Sequence, residues 1–205
     1  MKVLLINGSP KQNGNTALAL EEMRKVFEKE QIETEVIHVG NKDIRGCIAC
    51  GTCFQRGKCV FDDAVNEYAS KLEECDGVVV GSPVYYASAN GTLISFLDRL
   101  FHSTSFDKTM KVGASVVSAR RAGNTATFDE LNKYFTISSM PIVSSQYWNM
   151  VHGFSKEDVE CDEEGLQTMR TLGRNMAFLI KAIKAQKEKE GLPLVESRLR
   201  TNFIK

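Results

Sequence analysis

Residues 2–7 (Lys-Val-Leu-Leu-Ile-Asn) form an almost unbroken apolar run that stops at Gly8-Ser9. Apolar side chains at helical spacing follow. A run with no polar face reads as a strand covered on both sides, and the unit recurs along the chain. Strands are expected at 2–7, 35–39, 77–81, 111–118 and 142–147, and helices at about 16–30, 63–75, 92–103, 127–136 and 163–188. On the first helix Ala17, Leu20, Met23, Val26 and Phe27 share a face. On the last, Leu166, Met169, Leu172, Met176, Leu179 and Ile183 do so. Asp62 or Asp63 can cap the helix that turns Val65, Tyr68 and Leu72 inward. Strands joined through helices must run parallel, which predicts an α/β fold: a three-layer, doubly wound, five-stranded parallel sheet. With no repeat or linker in 205 residues, positions 1–205 read as one domain with a C-terminal helix and tail over about 163–205.

Charge narrows the function. Lys plus Arg and Asp plus Glu number 26 each, with no basic tract, which argues against nucleic-acid binding and a polybasic membrane anchor. Apolar runs such as 3–6 and 78–80 are too short to span a bilayer. Gly8 and Ser9 interrupt any signal-peptide layout, so a cytoplasmic location is the expectation.

In an open doubly wound sheet, ligands bind beyond the carboxyl ends of the strands. Three loops there are polar or glycine-bearing. Gly8-Ser9-Pro10-Lys11-Gln12-Asn13-Gly14-Asn15-Thr16 offers helix-start N–H groups, hydroxyls and one cation: a phosphate cradle, or a plain strand–helix turn. Neither a dinucleotide fingerprint nor a Walker A loop is present. Ser82-Pro83-Val84-Tyr85-Tyr86 offers an aromatic wall for a flat ring, or half-buried packing. Ser118-Ala119-Arg120-Arg121-Ala122-Gly123 adds donors at the same rim, unless the arginines are simply solvated.

Four of six cysteines fall in Cys47-x2-Cys50-x2-Cys53-x5-Cys59. Compact C-x2-C-x2-C runs mark iron–sulfur centres, whereas structural zinc usually uses two separated knuckles. A zinc site, a reversible disulfide pair or a metal-free remnant stay open as alternatives. Gly46, Gly51 and Gly57 let the loop wrap, and its place after the second strand brings it out at the same sheet edge as the three loops, so proximity to them is expected. Cys75 and Cys161 read as ordinary small residues. His38, His102 and His152 are scattered, and no catalytic nucleophile is expected.

Gly-Ser-Pro-Lys-x-x-Gly-Asn-Thr after the first strand and Gly-Ser-Pro-Val-Tyr after the third resemble the NAD(P)H-dependent FMN reductase and iron–sulfur flavoprotein family, a branch of the flavodoxin-like superfold, over residues 1 to about 150. The resemblance implies that Ser9, Lys11, Asn15 and Thr16 bind the FMN phosphate. It implies that Pro83, Val84, Tyr85 and Tyr86 contact the isoalloxazine, and that Ser118, Arg121 and Gly123 lie near the ring edge. Lys11 replaces a frequent Arg, keeping charge but losing its bidentate fork. Trp148 either closes the ring pocket or anchors a core or interface. The cysteines match the family's 4Fe–4S motif, a cluster that oxygen destroys when exposed and that aerobic purification can remove. A homodimer or homotetramer is implied as well.

Three readings follow. The first is an FMN-dependent oxidoreductase passing electrons from NAD(P)H or a ferredoxin-like donor to a small acceptor such as a quinone or flavin, with a 4Fe–4S cluster as an additional carrier. The second is a non-enzymatic electron carrier docking with protein partners, which the neutral charge disfavours. The third is a non-redox protein with a structural zinc loop.

Overall fold

The computed structural model describes residues 1–197 and 199–203. Within the expected 1–205 span, positions 198, 204 and 205 lie outside the described residues. The chain runs β1 (Lys2–Asn7), α1 (Asn15–Lys29), β2 (Glu33–His38), α2 (Thr52–Arg56), α3 (Ala64–Glu74), β3 (Gly77–Pro83), α4 (Gly91–Ser103), β4 (Val112–Ala119), α5 (Asn124–Ile137), β5 (Met150–His152), α6 (Lys156–Glu160) and α7 (Glu163–Glu190). All strand pairs are parallel, in the order β2-β1-β3-β4-β5. This is the flavodoxin-like order, whose switch point lies between β1 and β3.

Successive residues of β1 enter opposite layers, because strand side chains alternate. Leu4 and Ile6 pack with Leu72, Phe96, Leu97 and Phe135 of α3, α4 and α5. Val3 and Leu5 pack with Leu20, Phe27, Met169 and Met176 of α1 and α7. Both faces are buried, which is why the strand sequence shows no polar alternation. Of the expected inward positions, Ala17, Leu166, Leu179 and Ile183 are only partly buried. Among the described residues no helix is long and apolar enough to cross a membrane.

Helix starts divide into two groups. Asp63, Asn90, Ser155 and Asp162 cap α3, α4, α6 and α7 with their side chains. α1, α2 and α5 begin instead after Gly14, Gly51 and Gly123, with no side-chain cap.

The fifth strand departs from expectation. Pairing with β4 occurs in two pieces. Gly113 N–H donates to Pro141 O and Val143 N–H to Gly113 O, both at 2.9 Å. The three-residue β5 then pairs with Val117–Ala119. Residues 144–148 bulge out between them, fastened by Asn175 Nδ2 to Ser144 O at 2.8 Å and by Ser145 Oγ to Asn149 Oδ1 at 2.7 Å. Trp148 therefore precedes β5. It stands 51% exposed beside Tyr147, ring centroids 4.9 Å apart.

Candidate functional site

The loop after β1 is wound by its own side chains. Ser9 N–H donates to Asn7 Oδ1 at 3.0 Å, Lys11 N–H to Ser9 Oγ at 3.2 Å, and Asn7 Nδ2 to Gln12 O at 3.2 Å. His38 Nε2 lies 2.7 Å from Ser9 O. α1 then starts without a cap and with no acidic residue in its first turn, leaving orphan N–H groups and a positive dipole end facing the loop.

The loop after β3 closes a two-residue hairpin. Tyr85 and Ser88 exchange backbone hydrogen bonds of 2.9 and 3.0 Å across Tyr86 (φ 53°) and Ala87 (φ 59°). Two central residues at positive φ define a type I′ turn, which ordinarily holds Asn or Gly. Here Tyr-Ala occupies it and Tyr86 is fully exposed. Glu130 secures the base, accepting from Ser88 Oγ at 2.9 Å and Ala89 N–H at 2.8 Å.

The loop after β4 locks the other two together. The hydroxyls of Thr16 and Ser118 are 2.8 Å apart in the interior. Val84 N–H donates to Ser118 O at 2.9 Å. Gly123, at φ 88°, starts α5. A Cβ there would lie 3.0 Å from Ala87 Cα and Val84 Cγ1, so only glycine lets this turn pack on the hairpin.

These loops enclose one cleft. Ser9, Lys11, Asn15, Thr16, Pro83, Val84, Tyr85 and Ser118, all named above as candidate site residues, line it. Tyr86, Arg121, Gly123 and Trp148 are not among its lining residues. Ala119, Arg120, Gly153 and Phe154 are, and sequence reasoning missed them as contacts. Arg120 lies over the Phe154 ring at 6.0 Å, and Asn15 Nδ2 donates to Gly153 O at 2.8 Å, so that amide braces the wall of the cleft. Gly153 and Phe154 reach the cleft because β5 ends at His152.

The cysteine loop leaves the same sheet edge but does not stay there. It descends beside α4, and its four cysteines line one small cavity with Arg99, His102 and Ser103. Arg99 lies in the third turn of α4, about 12 Å along the axis from the helix start at 1.5 Å per residue. Left-handed Ala49, Gly51 and Gly57 wind the loop, whereas Gly46 is not left-handed. Asn66 clamps its far end, accepting from Cys59 N–H at 3.0 Å and donating to Cys59 O at 3.0 Å and Phe61 O at 2.8 Å. Hydrogen bonds from Thr52 hold the Cys50 thiol below its usual pKa range. Among the described residues no three His, Cys, Asp or Glu side chains converge on one metal position. The cysteines share a cavity, not a point. An all-thiol donor set fits an iron–sulfur centre, whose several iron atoms spread the ligands apart.

Arg99 is the least expected residue here. It is 1% exposed and faces Asp63 with two hydrogen bonds, 2.7 and 2.9 Å. Its Nε and Nη2 lie 3.3 and 3.2 Å from Cys59 Sγ. Burial disfavours the charge, but Asp63 and Cys59 outweigh it and raise the guanidinium pKa.

A parallel sheet in this order, with an uncapped helix start and an aromatic wall at its switch point, defines a flavodoxin-like flavin-binding protein. Two solved structures share the fold: RosB with a bound 8-demethyl-8-formylriboflavin-5′-phosphate intermediate (TM-score 0.72, 16% identity, 100% of this chain and 92% of that one) and a flavodoxin from the domain Archaea (0.61, 18%, 88% and 99%). The NADPH-dependent FMN reductase family matches residues 1–155, and the chain belongs to that family, as an FMN-dependent oxidoreductase. An iron–sulfur flavoprotein of Methanocaldococcus jannaschii is 35% identical over 192 residues, covering 90% of this chain and 100% of that protein.

Proposed function

We propose that this protein draws electrons from NAD(P)H, or from a ferredoxin-like donor, and delivers them to a small acceptor such as a quinone or free flavin, by way of FMN and a 4Fe–4S cluster on Cys47, Cys50, Cys53 and Cys59. The observation that carries the reading is the presence, in one fold, of a cleft at the uncapped start of α1 and a second cavity lined by four thiols. When bound, FMN would supply exchange between two-electron and one-electron transfer, and the cluster a one-electron outlet.

The chain's own residues divide the work of holding these groups. Ser9, Lys11, Thr16 and the open N–H groups of α1 would hold the phosphate, where a cation and a helix dipole oppose its charge. Pro83, Val84 and Tyr85 would face the ring, while Arg120 and Phe154 flank it and exclude water. Ser118 fixes Thr16 from below. The relative's name, iron–sulfur flavoprotein, supports the cluster, as does the gathering of four thiols around one cavity.

A homodimer or homotetramer belongs to the same reading and is supported by exposed Tyr147, Trp148 and Phe178. Six free cysteines support a reducing, cytoplasmic setting.

Anaerobically prepared protein tests this directly. NADH or NADPH should bleach the flavin absorbance, and iron and acid-labile sulfide should be stoichiometric. A flavin that neither nucleotide bleaches removes NAD(P)H as donor. Stoichiometric zinc without sulfide removes the cluster.

A further inference from the structure

The guanidinium of Arg99 uses both of its edges. One edge, Nη1 and Nη2, takes Asp63 in a bidentate pair. The other edge, Nε and Nη2, points at a single sulfur, Cys59 Sγ. The remaining contact of Nη1 is Arg45 O at 3.2 Å. Arginine is almost never this buried without a partner, and Asp63 alone satisfies that need. Two further donors on one sulfur are more than a neutral thiol, a weak acceptor, calls for. They suit a sulfur that carries negative charge.

A second relationship points the same way. Cys59 is held from both ends, its backbone by Asn66 and its side chain by Arg99. Cys47 and Cys50 are exposed, and Cys53 belongs to the short α2. One ligand is therefore preset against α3 and α4, while the other three ride on the loop. Phe61 fills the remaining side, with the Arg45 and Arg99 guanidinium carbons 4.7 and 4.9 Å from its ring centre.

We propose that Arg99 is a positioning residue for the iron–sulfur centre: it fixes the Cys59 sulfur and, by its two N–H···S bonds, sets the potential at which that centre is reduced. The inference rests on the cluster reading above. Reduction of the centre adds one electron, delivered from the reduced flavin, and so one unit of negative charge with no bond made or broken. Donors on a ligand sulfur stabilise the more negative state and raise the potential. Lysine keeps the charge but cannot serve Asp63 and the sulfur together with a planar fork.

The test uses the full chain, prepared anaerobically with FMN, as wild type, Arg99→Lys and Arg99→Gln. A redox titration followed by electron paramagnetic resonance reads the centre, with the flavin midpoint as internal control. The centre's midpoint should move to more negative potential in both variants, further in Arg99→Gln, while the flavin midpoint and FMN content stay put. A wild-type midpoint in an FMN-replete variant overturns the role of Arg99. Should the variants fail to fold, wild-type protein carrying arginine labelled with heavy nitrogen decides. Magnetic coupling of that nitrogen to the reduced centre is expected, and its absence overturns the proposal. Wild-type protein with zinc and no sulfide overturns the cluster reading itself, and this inference with it.

Discussion

Thr16 Oγ1 and Ser118 Oγ share a 2.8 Å hydrogen bond beneath the cleft, joining the loop after β1 to the end of β4. Both residues are buried, so removing one hydroxyl strands the other. Thr16→Val should cost about 1–3 kcal/mol of folding free energy. It should also weaken FMN binding roughly tenfold, equivalent to about 1.4 kcal/mol. Chemical denaturation and FMN titration of Thr16→Val, Ser118→Ala and the double variant measure both effects. Additive losses would show that the two hydroxyls act independently.

Arg120, not Arg121, lines the cleft. Arg120→Ala should raise the Kd for FMN about tenfold or more, the scale of a lost charge-assisted hydrogen bond. Arg121→Ala should leave it almost unchanged. Fluorescence titration of apoprotein with FMN reads both. The reverse ranking would return Arg121 to the site.

The Tyr86-Ala87 turn holds two side chains in the left-handed region. Such residues cost about 1 kcal/mol or more each. Ala87→Gly should therefore raise the melting temperature by roughly 2–4 °C in a chain this size. A calorimetric scan in which Ala87→Gly melts at or below wild type would show that the turn is not strained.

Cys75 gives a pH prediction. Burial pushes its thiol up from 9.0 to about 11, and its Sγ donates to Leu72 O at 3.2 Å. The unfolded thiol loses its proton first, so the folded state binds more protons between pH 9 and 11 and stability falls as pH rises through that window. The loss attributable to this group is of order 2–3 kcal/mol. Urea denaturation at pH 9 and pH 11 should show a smaller difference in Cys75→Ala than in wild type. Equal differences would place the alkaline sensitivity elsewhere.

The fold was legible because β1, β3 and β4 are apolar on both faces and each is followed by a recognisable helix. Most cleft residues were legible from the same cause, since each loop directly follows a strand that could be read. The fifth strand was not. Its first piece, around Ile142, carries the β-branched signal, whereas Met150–His152 is too short to show a period. Misplacing that strand hid Gly153 and Phe154, whose only credential is that they follow it. It also put Trp148 on the wrong side of the strand. Arg99 was hidden for another reason. On α4 it reads as one charge among apolar neighbours, and only the fold brings it against Cys59, forty positions away. The cysteine loop leaves the expected sheet edge, but its cysteines lie beside the later turns of α4 and not against the three loops, because nothing local in it encodes the descent along α4.

The open start of α1, at the cleft, would make cofactor retention and folding one equilibrium. Where α3 and α7 carry their own Asp, α1 leaves its first backbone donors open, so part of the native state's completeness would arrive with the ligand. A chain starved of flavin would then be not merely inactive but shorter-lived in the cell, and its abundance would track flavin supply.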